Sequence, residues 1–288
     1  MKIIEFYKLS EKPVLSLEIF PPHTSYPVES LFETVEELRD LEPDFISVTY
    51  GAGGSTRDRT VEIASSIKSD FGIETLAHLT CMAHSKQEVD HILETLWDRG
   101  IRNIMALRGD PPADLENLDL LKREYHYARE LIEEARKKAD FGIAAAAYPE
   151  GHPECQKLSD DIIHLKQKVD AGVDVLISQL FFDNRKFYDF IDRSLQIGIN
   201  CPIVPGIMPV LNAKQIQRMI TLSGASVPSD LLKLLDRYDD RPEEMEKAGI
   251  EYASRQVEDL LTNRVAGIHM YTMNKSKQIK EIVKNAGL

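Results

Sequence analysis

The chain predicts an α/β fold, a (β/α)8 barrel, on three observations. Eight short apolar runs rich in β-formers recur through it, most of them about 30 residues apart. Amphipathic stretches with a 3.6-residue period separate them. No GxGxxG follows the first run, which argues against the runner-up, an open doubly wound sheet.

The strand candidates are residues 14–20 (VLSLEIF), 45–50 (FISVTY), 74–80 (ETLAHLT) and 102–107 (RNIMAL), then 141–148 (FGIAAAAY), 173–182 (VDVLISQLFF), 201–207 (CPIVPGI) and 267–273 (GIHMYTM). Among the helices, residues 30–41 set Leu31, Val35, Leu38 and Leu41 on one face. Residues 86–99 gather Val89, Ile92, Leu93, Leu96 and Trp97. Residues 160–171 and 212–222 repeat the period, and Gly100 and Gly172 stand where helix ends are expected. The long gap before the last strand, around residues 228–249, predicts extra helices between the last strands. No linker or internal repeat divides the chain, so residues 1–288 read as one domain.

Composition narrows the function. With 35 Lys+Arg against 47 Asp+Glu the chain carries a formal charge of −12, the wrong sign for a general nucleic-acid binder. Cys81, Cys155 and Cys201 form no CxxC and read as reduced thiols. The amino-terminal MKIIEFYKLSEKP meets charge too early for a secretory signal, and no apolar run approaches a membrane span. The expectation is a cytoplasmic protein without membrane contact.

Barrel enzymes work at the C-terminal ends of their strands. Those ends carry Glu18, Thr49-Tyr50, His78 and Thr80, Arg108-Gly109-Asp110, Tyr148, Gln179, Pro205-Gly206, and Tyr271 with Asn274. Glu18, closing an apolar run, is a candidate general acid, because a partly desolvated carboxyl can keep its proton; a Glu paired with a neighbouring Lys or Arg is the alternative. Asp110 can accept hydrogen bonds from a heterocycle, although an Arg–Asp loop pair explains the tripeptide equally well. The glycine-rich residues 51–60 (GAGGSTRDRT) can hold an anion on backbone N–H groups, or form a plain loop capped by Ser55 or Thr56; they lack the GK[ST] of a P-loop. His78 by pattern is a core histidine. His152 and Cys155 have no second pair to complete a zinc site, so no metal is assigned. Gln179 beside Phe181 and Phe182 suits a planar, polar-edged ligand.

Together these motifs resemble the methylenetetrahydrofolate reductase family of the bacterial type. They are LEIFPP at 17–22, SVTYGAGGSTRDRT at 47–60, AHLTC at 77–81, ALRGDPP at 106–112, AAYPEGHPE at 146–154, KVDAGVDVLISQLFFD at 168–183, PGIMPV at 205–210 and YTMNK at 271–275. The resemblance implies a flavin-dependent TIM barrel that reduces 5,10-methylenetetrahydrofolate to 5-methyltetrahydrofolate. NADH or NADPH would deliver hydride through FAD, in preference to FMN, by a ping-pong scheme. It implies Glu18 as the acid that opens the folate ring and Asp110 as the carboxylate between flavin and pterin. Gln179 and Gln215 become folate contacts. Thr49, His78, Arg108, Gly109, Asp110, Tyr127, Ala128, Tyr148, His152, Asp161 and Lys168 become the flavin shell. A homo-oligomer is implied, with the alternative of a subunit fed electrons by a partner protein.

The chain departs from the pattern of enterobacterial members at four places. Lys275 stands for an arginine, Met219 for a phenylalanine over the folate, and His164 and Gln167 for an asparagine and an arginine of the flavin shell. The lost arginine weakens FAD relative to FMN. Only the catalytic barrel is matched, so regulation by S-adenosylmethionine is not expected. A Schiff-base lyase would need a lysine at a strand end, and none of the eight supplies one. A non-enzymatic subunit would not need Glu18, Asp110 and Gln179 together.

Overall fold

The computed structural model describes residues 1–22, 27–50, 57–82, 84–110 and 123–288. Residues 51–56, with the candidate caps Ser55 and Thr56, lie outside them, as do Pro111 and Pro112. Among the described residues nine parallel strands form one sheet: β1 Val14–Ile19, β2 Phe45–Val48, β3 Glu74–Thr80, β4 Asn103–Leu107, β5 Gly142–Ala147, β6 Val175–Ser178, β7 Ile203–Val204, β8 Gly206–Ile207 and β9 Gly267–Tyr271. Their order is β7-β6-β5-β4-β3-β2-β1-β9-β8.

The eight expected strands become nine because Pro205 interrupts the seventh. Proline has no N–H for a ladder. β7 therefore pairs with β6, and β8 with β9, while the Pro205 carbonyl still accepts the His269 N–H at 3.0 Å. The two edges of the sheet are thus one segment, and the sheet meets itself as a barrel.

The helices are α1 Ile3–Leu9, α2 Glu29–Arg39, α3 Arg57–Asp70, α4 Lys86–Asp98, α5 Ala128–Lys138, α6 Leu158–Asp170, α7 Asn184–Gln196, α8 Ala213–Ser223, α9 Ser229–Arg237, α10 Pro242–Thr262 and α11 Ser276–Ala286. They lie where amphipathic stretches predict them, and α9 and α10 fill the long gap. α1 corrects the sequence analysis, which assigns no element there. Asn103 holds its start, its Oδ1 accepting the Ile3 N–H at 2.8 Å and its Nδ2 donating to the Met1 carbonyl at 3.0 Å. Among the described residues no helix is long and apolar enough to cross a membrane. The three cysteines are unpaired; burial pushes the thiols of Cys81 and Cys201 up to about 12 and about 11.

Inside the barrel, alternation along each strand sets what faces the axis. Val14, Phe45, Leu76, Met105, Ala144, Val175 and Val204 pack with Ile3 of α1 into an apolar floor. Two residues on, the same parity brings Ser16, Ser47, His78, Ala146, Ile177, Gly206 and His269. Two more bring Glu18, Thr49, Tyr148, Gln179, Met208 and Tyr271. The interior therefore changes from apolar to polar toward the strands' C-terminal ends. Outside the sheet, Leu31, Val35, Leu93, Leu131, Phe187, Val257 and Ile279 belong to the core between strands and helices. Each such fully buried side chain contributes about 1.5–3 kcal/mol.

At Gly249 in α10, an added Cβ would overlap the Val210 carbonyl oxygen. In an unpacked helix Gly→Ala stabilises by about 1 kcal/mol. Here both groups are backbone, so Gly249→Ala is expected to destabilise by about 3 kcal/mol, the upper end for overpacking. Thermal denaturation should show Tm falling by several degrees; a rise would contradict this packing.

Candidate active site

At the C-terminal ends of the strands lies a cavity of about 920 Å³, large enough for a cofactor with a substrate beside it. Glu18, Thr49, His78, Arg108, Gly109, Asp110, Tyr127, Ala128, Tyr148, His152, Asp161, His164, Lys168, Gln179 and Met219 all line it. Two expected site residues do not. Gln215 is half-buried near the start of α8, its N–H capped by Asn212 at 3.1 Å, and Lys275 is exposed at the start of α11.

One wall is cationic. Arg108 follows β4, and its guanidinium holds Glu154 through two hydrogen bonds, one of 2.7 Å. Hydrogen bonding to Arg108 holds the Glu154 carboxyl below its usual range. Gly109 beside it sits at φ +87°, a backbone conformation that glycine adopts at little cost. Lys168 reaches from α6 and donates to the Ala146 carbonyl at 2.6 Å. Burial pushes its amine down to about 8, with Asp161 opposing. His152 packs edge-on against Tyr148, ring centroids 4.7 Å apart. Burial, followed by the charge of Arg108, lowers the imidazole, while burial and Asp110 push the Tyr148 phenol up to about 12.

The sequence analysis missed three further members of this wall, Arg123, His126 and Arg129. They precede and open α5, and only their shared charge in HYAR and the preceding KRE could have marked them. Arg123 Nε is buried and has no hydrogen-bond partner among the described residues.

The other end of the cavity is built around Glu18, which is 7% exposed on β1. Among the described residues its ion-pair neighbours are imidazoles, not Lys or Arg. His78 Nε2 stands 3.4 Å and His269 Nε2 3.6 Å from its Oε2. Ser47 Oγ lies 2.6 Å from His78 Nε2, and Ser16 Oγ 2.8 Å from His269 Nδ1. Burial lowers His78, so its ring is neutral near pH 7. The strand register produces this cluster, because Ser16 is the cross-strand partner of His269 and Glu18 of Tyr271. Sequence reasoning assigned nothing to His269; its shared parity with Tyr271 on a strand beside Glu18 was the available signal.

Gln179, one residue beyond β6, accepts the Leu180 N–H on its Oε1 at 2.8 Å, which leaves the amide NH2 for a ligand. Met208, Met219 and Met273 supply an apolar, polarisable lining nearby. Asn274 clamps the end of β1: its Oδ1 accepts the Phe20 N–H at 3.0 Å and its Nδ2 donates to the Phe20 carbonyl at 2.9 Å. Met273 and Asn274 take left-handed φ of +52° and +55° to make that turn, a cost the clamp offsets.

A family model described as methylenetetrahydrofolate reductase matches residues 2–287. The chain is 38% identical over 302 residues to methylenetetrahydrofolate reductase (NADH) 1 of Arabidopsis thaliana, covering 100% of this chain and 51% of the relative. It is 39% identical over 274 residues to the 5,10-methylenetetrahydrofolate reductase of Pectobacterium carotovorum, covering 95% and 90%. The Escherichia coli K12 enzyme of that name is 37% identical over the same coverage. The chain thus spans about half the length of the plant relatives. A solved structure of an uncharacterised Clostridium thermocellum protein, which binds two copies of 5-methyl-5,6,7,8-tetrahydrofolic acid, superposes with a TM-score of 0.66 at 14% identity. That match covers 98% of this chain and 96% of the other. At that identity it bears on the fold alone.

Proposed function

The chain belongs to the methylenetetrahydrofolate reductase family, and we propose that it reduces 5,10-methylenetetrahydrofolate to 5-methyltetrahydrofolate with electrons from NADH. The observation that carries this is convergence: Glu18, Asp110 and Gln179 leave three strands and face one cavity whose far wall is cationic. A bound flavin would supply the hydride relay, taking it from the nicotinamide and passing it to folate in a ping-pong cycle.

The cationic wall fits an anionic cofactor. Arg108 offers a bidentate fork to a phosphate in exchange for Glu154, and Lys168 a charge-assisted donor. Gln167 stands where the family pattern has an arginine; Arg123 lines the same cavity and supplies positive charge there, while Arg129 pairs with Glu133 at 3.5 Å. Arg123 Nε, which has no hydrogen-bond partner among the described residues, is a donor suited to a second phosphate, which favours FAD over FMN.

At the substrate end, Glu18 donates the proton that opens the five-membered folate ring. The Asp110 carboxylate accepts from the pterin's amino and ring N–H groups and favours the cation that follows. The Gln179 amide contacts folate and nicotinamide in turn. The methionines exclude water while tolerating both shapes. NADH is preferred to NADPH because the similar plant proteins carry NADH in their names. The barrel acts as one catalytic domain.

The test is reconstitution followed by steady-state kinetics. FAD should bind with a shifted visible spectrum and more tightly than FMN, and double-reciprocal plots at several folate concentrations should be parallel. Failure to bind either flavin would overturn the reading.

A further inference from the structure

The carboxyl of Glu18 has a partner that the proposed chemistry does not by itself require. His269 is 1% exposed, and its ring is fixed between Ser16 and Glu18. Tautomers are assigned from the hydrogen-bond network. The Ser16 hydroxyl reaches His269 Nδ1 at 2.8 Å and the Ile268 carbonyl at 3.4 Å, with the buried Tyr7 phenol beside it as a further hydrogen-bond partner. A carbonyl only accepts, so a serine proton placed there leaves the Oγ lone pair for an Nδ1–H. A neutral imidazole protonated at Nδ1 is bare at Nε2, the atom that faces Glu18 Oε2.

The other neighbours of Glu18 do not duplicate this. On β3, His78 Nε2 lies 2.6 Å from Ser47 Oγ. Donation from the Ser47 hydroxyl gives that proton a buried acceptor and fills the ring's single lone pair. On β9, Tyr271 donates its hydroxyl to the Ser178 carbonyl at 2.6 Å and stays neutral, its phenol raised by burial. From β2, among the described residues, Ser47 is the cross-strand partner of Glu18 and Thr49 shares its parity, and neither carries charge.

We propose that Ser16 and His269 are positioning residues for the acid: Ser16 holds His269 in the tautomer whose bare Nε2 accepts the Glu18 proton until substrate competes for it. A carboxyl finds an acceptor there, whereas a carboxylate would meet a lone pair. At 3.6 Å the contact is long, as such contacts are before substrate binds, so it orients the proton without holding it tightly. This rests on the reading of Glu18 as the acid of the folate half-reaction.

Ser16→Ala tests it. Without the serine oxygen, Nδ1–H loses its acceptor and the ring turns to the opposite tautomer, which donates Nε2–H to a carboxylate. Reoxidation of the reduced flavin by methylenetetrahydrofolate should fall about tenfold at neutral pH and recover as the pH is lowered, one pH unit answering to tenfold. Ser16→Thr, which keeps the hydroxyl, should retain the wild-type profile. A second readout needs no turnover: the infrared carbonyl band of a protonated carboxyl, assigned by its loss in Glu18→Gln, should weaken in Ser16→Ala and in His269→Gln. An unchanged profile and band, or a profile displaced to higher pH, would overturn the proposal, the displacement marking the opposite tautomer in the wild type. If wild-type protein itself is not reoxidised by folate, the proposed function fails instead, and the infrared band still reads the Ser16–His269 arrangement.

Discussion

Glu18→Gln is expected to lose the folate half-reaction by a factor of about 10²–10⁴, the range in which a positioned general acid acts. The amide matches the carboxyl in shape and can still sit between His78 and His269, so the barrel and its bound flavin should survive. What it lacks is a proton to give. Hydride transfer from NADH to the flavin needs no acid and should continue in the variant. The measurement is a pair of anaerobic half-reactions on one preparation, with the flavin absorbance as the signal. A variant that is reduced by NADH but not reoxidised by methylenetetrahydrofolate places Glu18 at the proton transfer. Equal loss in both halves would reduce Glu18 to a structural role.

Lys168→Met is expected to lower flavin affinity by about ten- to a hundredfold, the range of a charge-assisted hydrogen bond. Methionine fills about the same volume at the cavity wall, so the variant should keep the fold. The sign of the accompanying pH effect follows from burial, which pushes this amine down to about 8. Below that value it is an ammonium and attracts a phosphate; as the pH rises through about 8 it turns neutral and affinity falls. Bound phosphate raises the amine again, so the decline begins somewhat higher in the complex. The unliganded protein shows the complementary trend. Between about 8 and the ordinary value of 10.5 the unfolded chain holds the extra proton, so stability rises with pH across that window. Flavin titrations at several pH values should show the wild-type dependence and its absence in Lys168→Met. A pH-independent wild-type affinity would remove Lys168 from the phosphate site.

The strand ends were legible because period-two alternation and apolar runs are local signals. Glu18, Gln179 and Tyr148 could be placed at one end of the barrel without coordinates. The partners of Glu18 could not. Ser16, Ser47 and His269 meet it only through the register of three strands, and register between residues 250 apart leaves no local mark. α1 was missed for a related reason: what holds it is Asn103, a hundred residues away. The split at Pro205 was visible as a residue, but its consequence, one segment serving both edges of the sheet, required the closed barrel. Arg123 and Arg129 were hidden because a charged stretch before a helix ordinarily reads as a solvated face. YTMNK was legible as a motif and not as a structure, since the clamp of Asn274 on Phe20 depends on two consecutive left-handed residues.

The central claim is that one cavity passes hydride from a nicotinamide to a folate through a bound flavin. The most direct measurement is anaerobic stopped-flow absorbance on the reconstituted wild-type protein, with NADH added first and methylenetetrahydrofolate second. The account predicts bleaching of the flavin band by NADH and its full return with folate, each at a rate that sustains turnover. A flavin that bleaches and does not return with folate would contradict it.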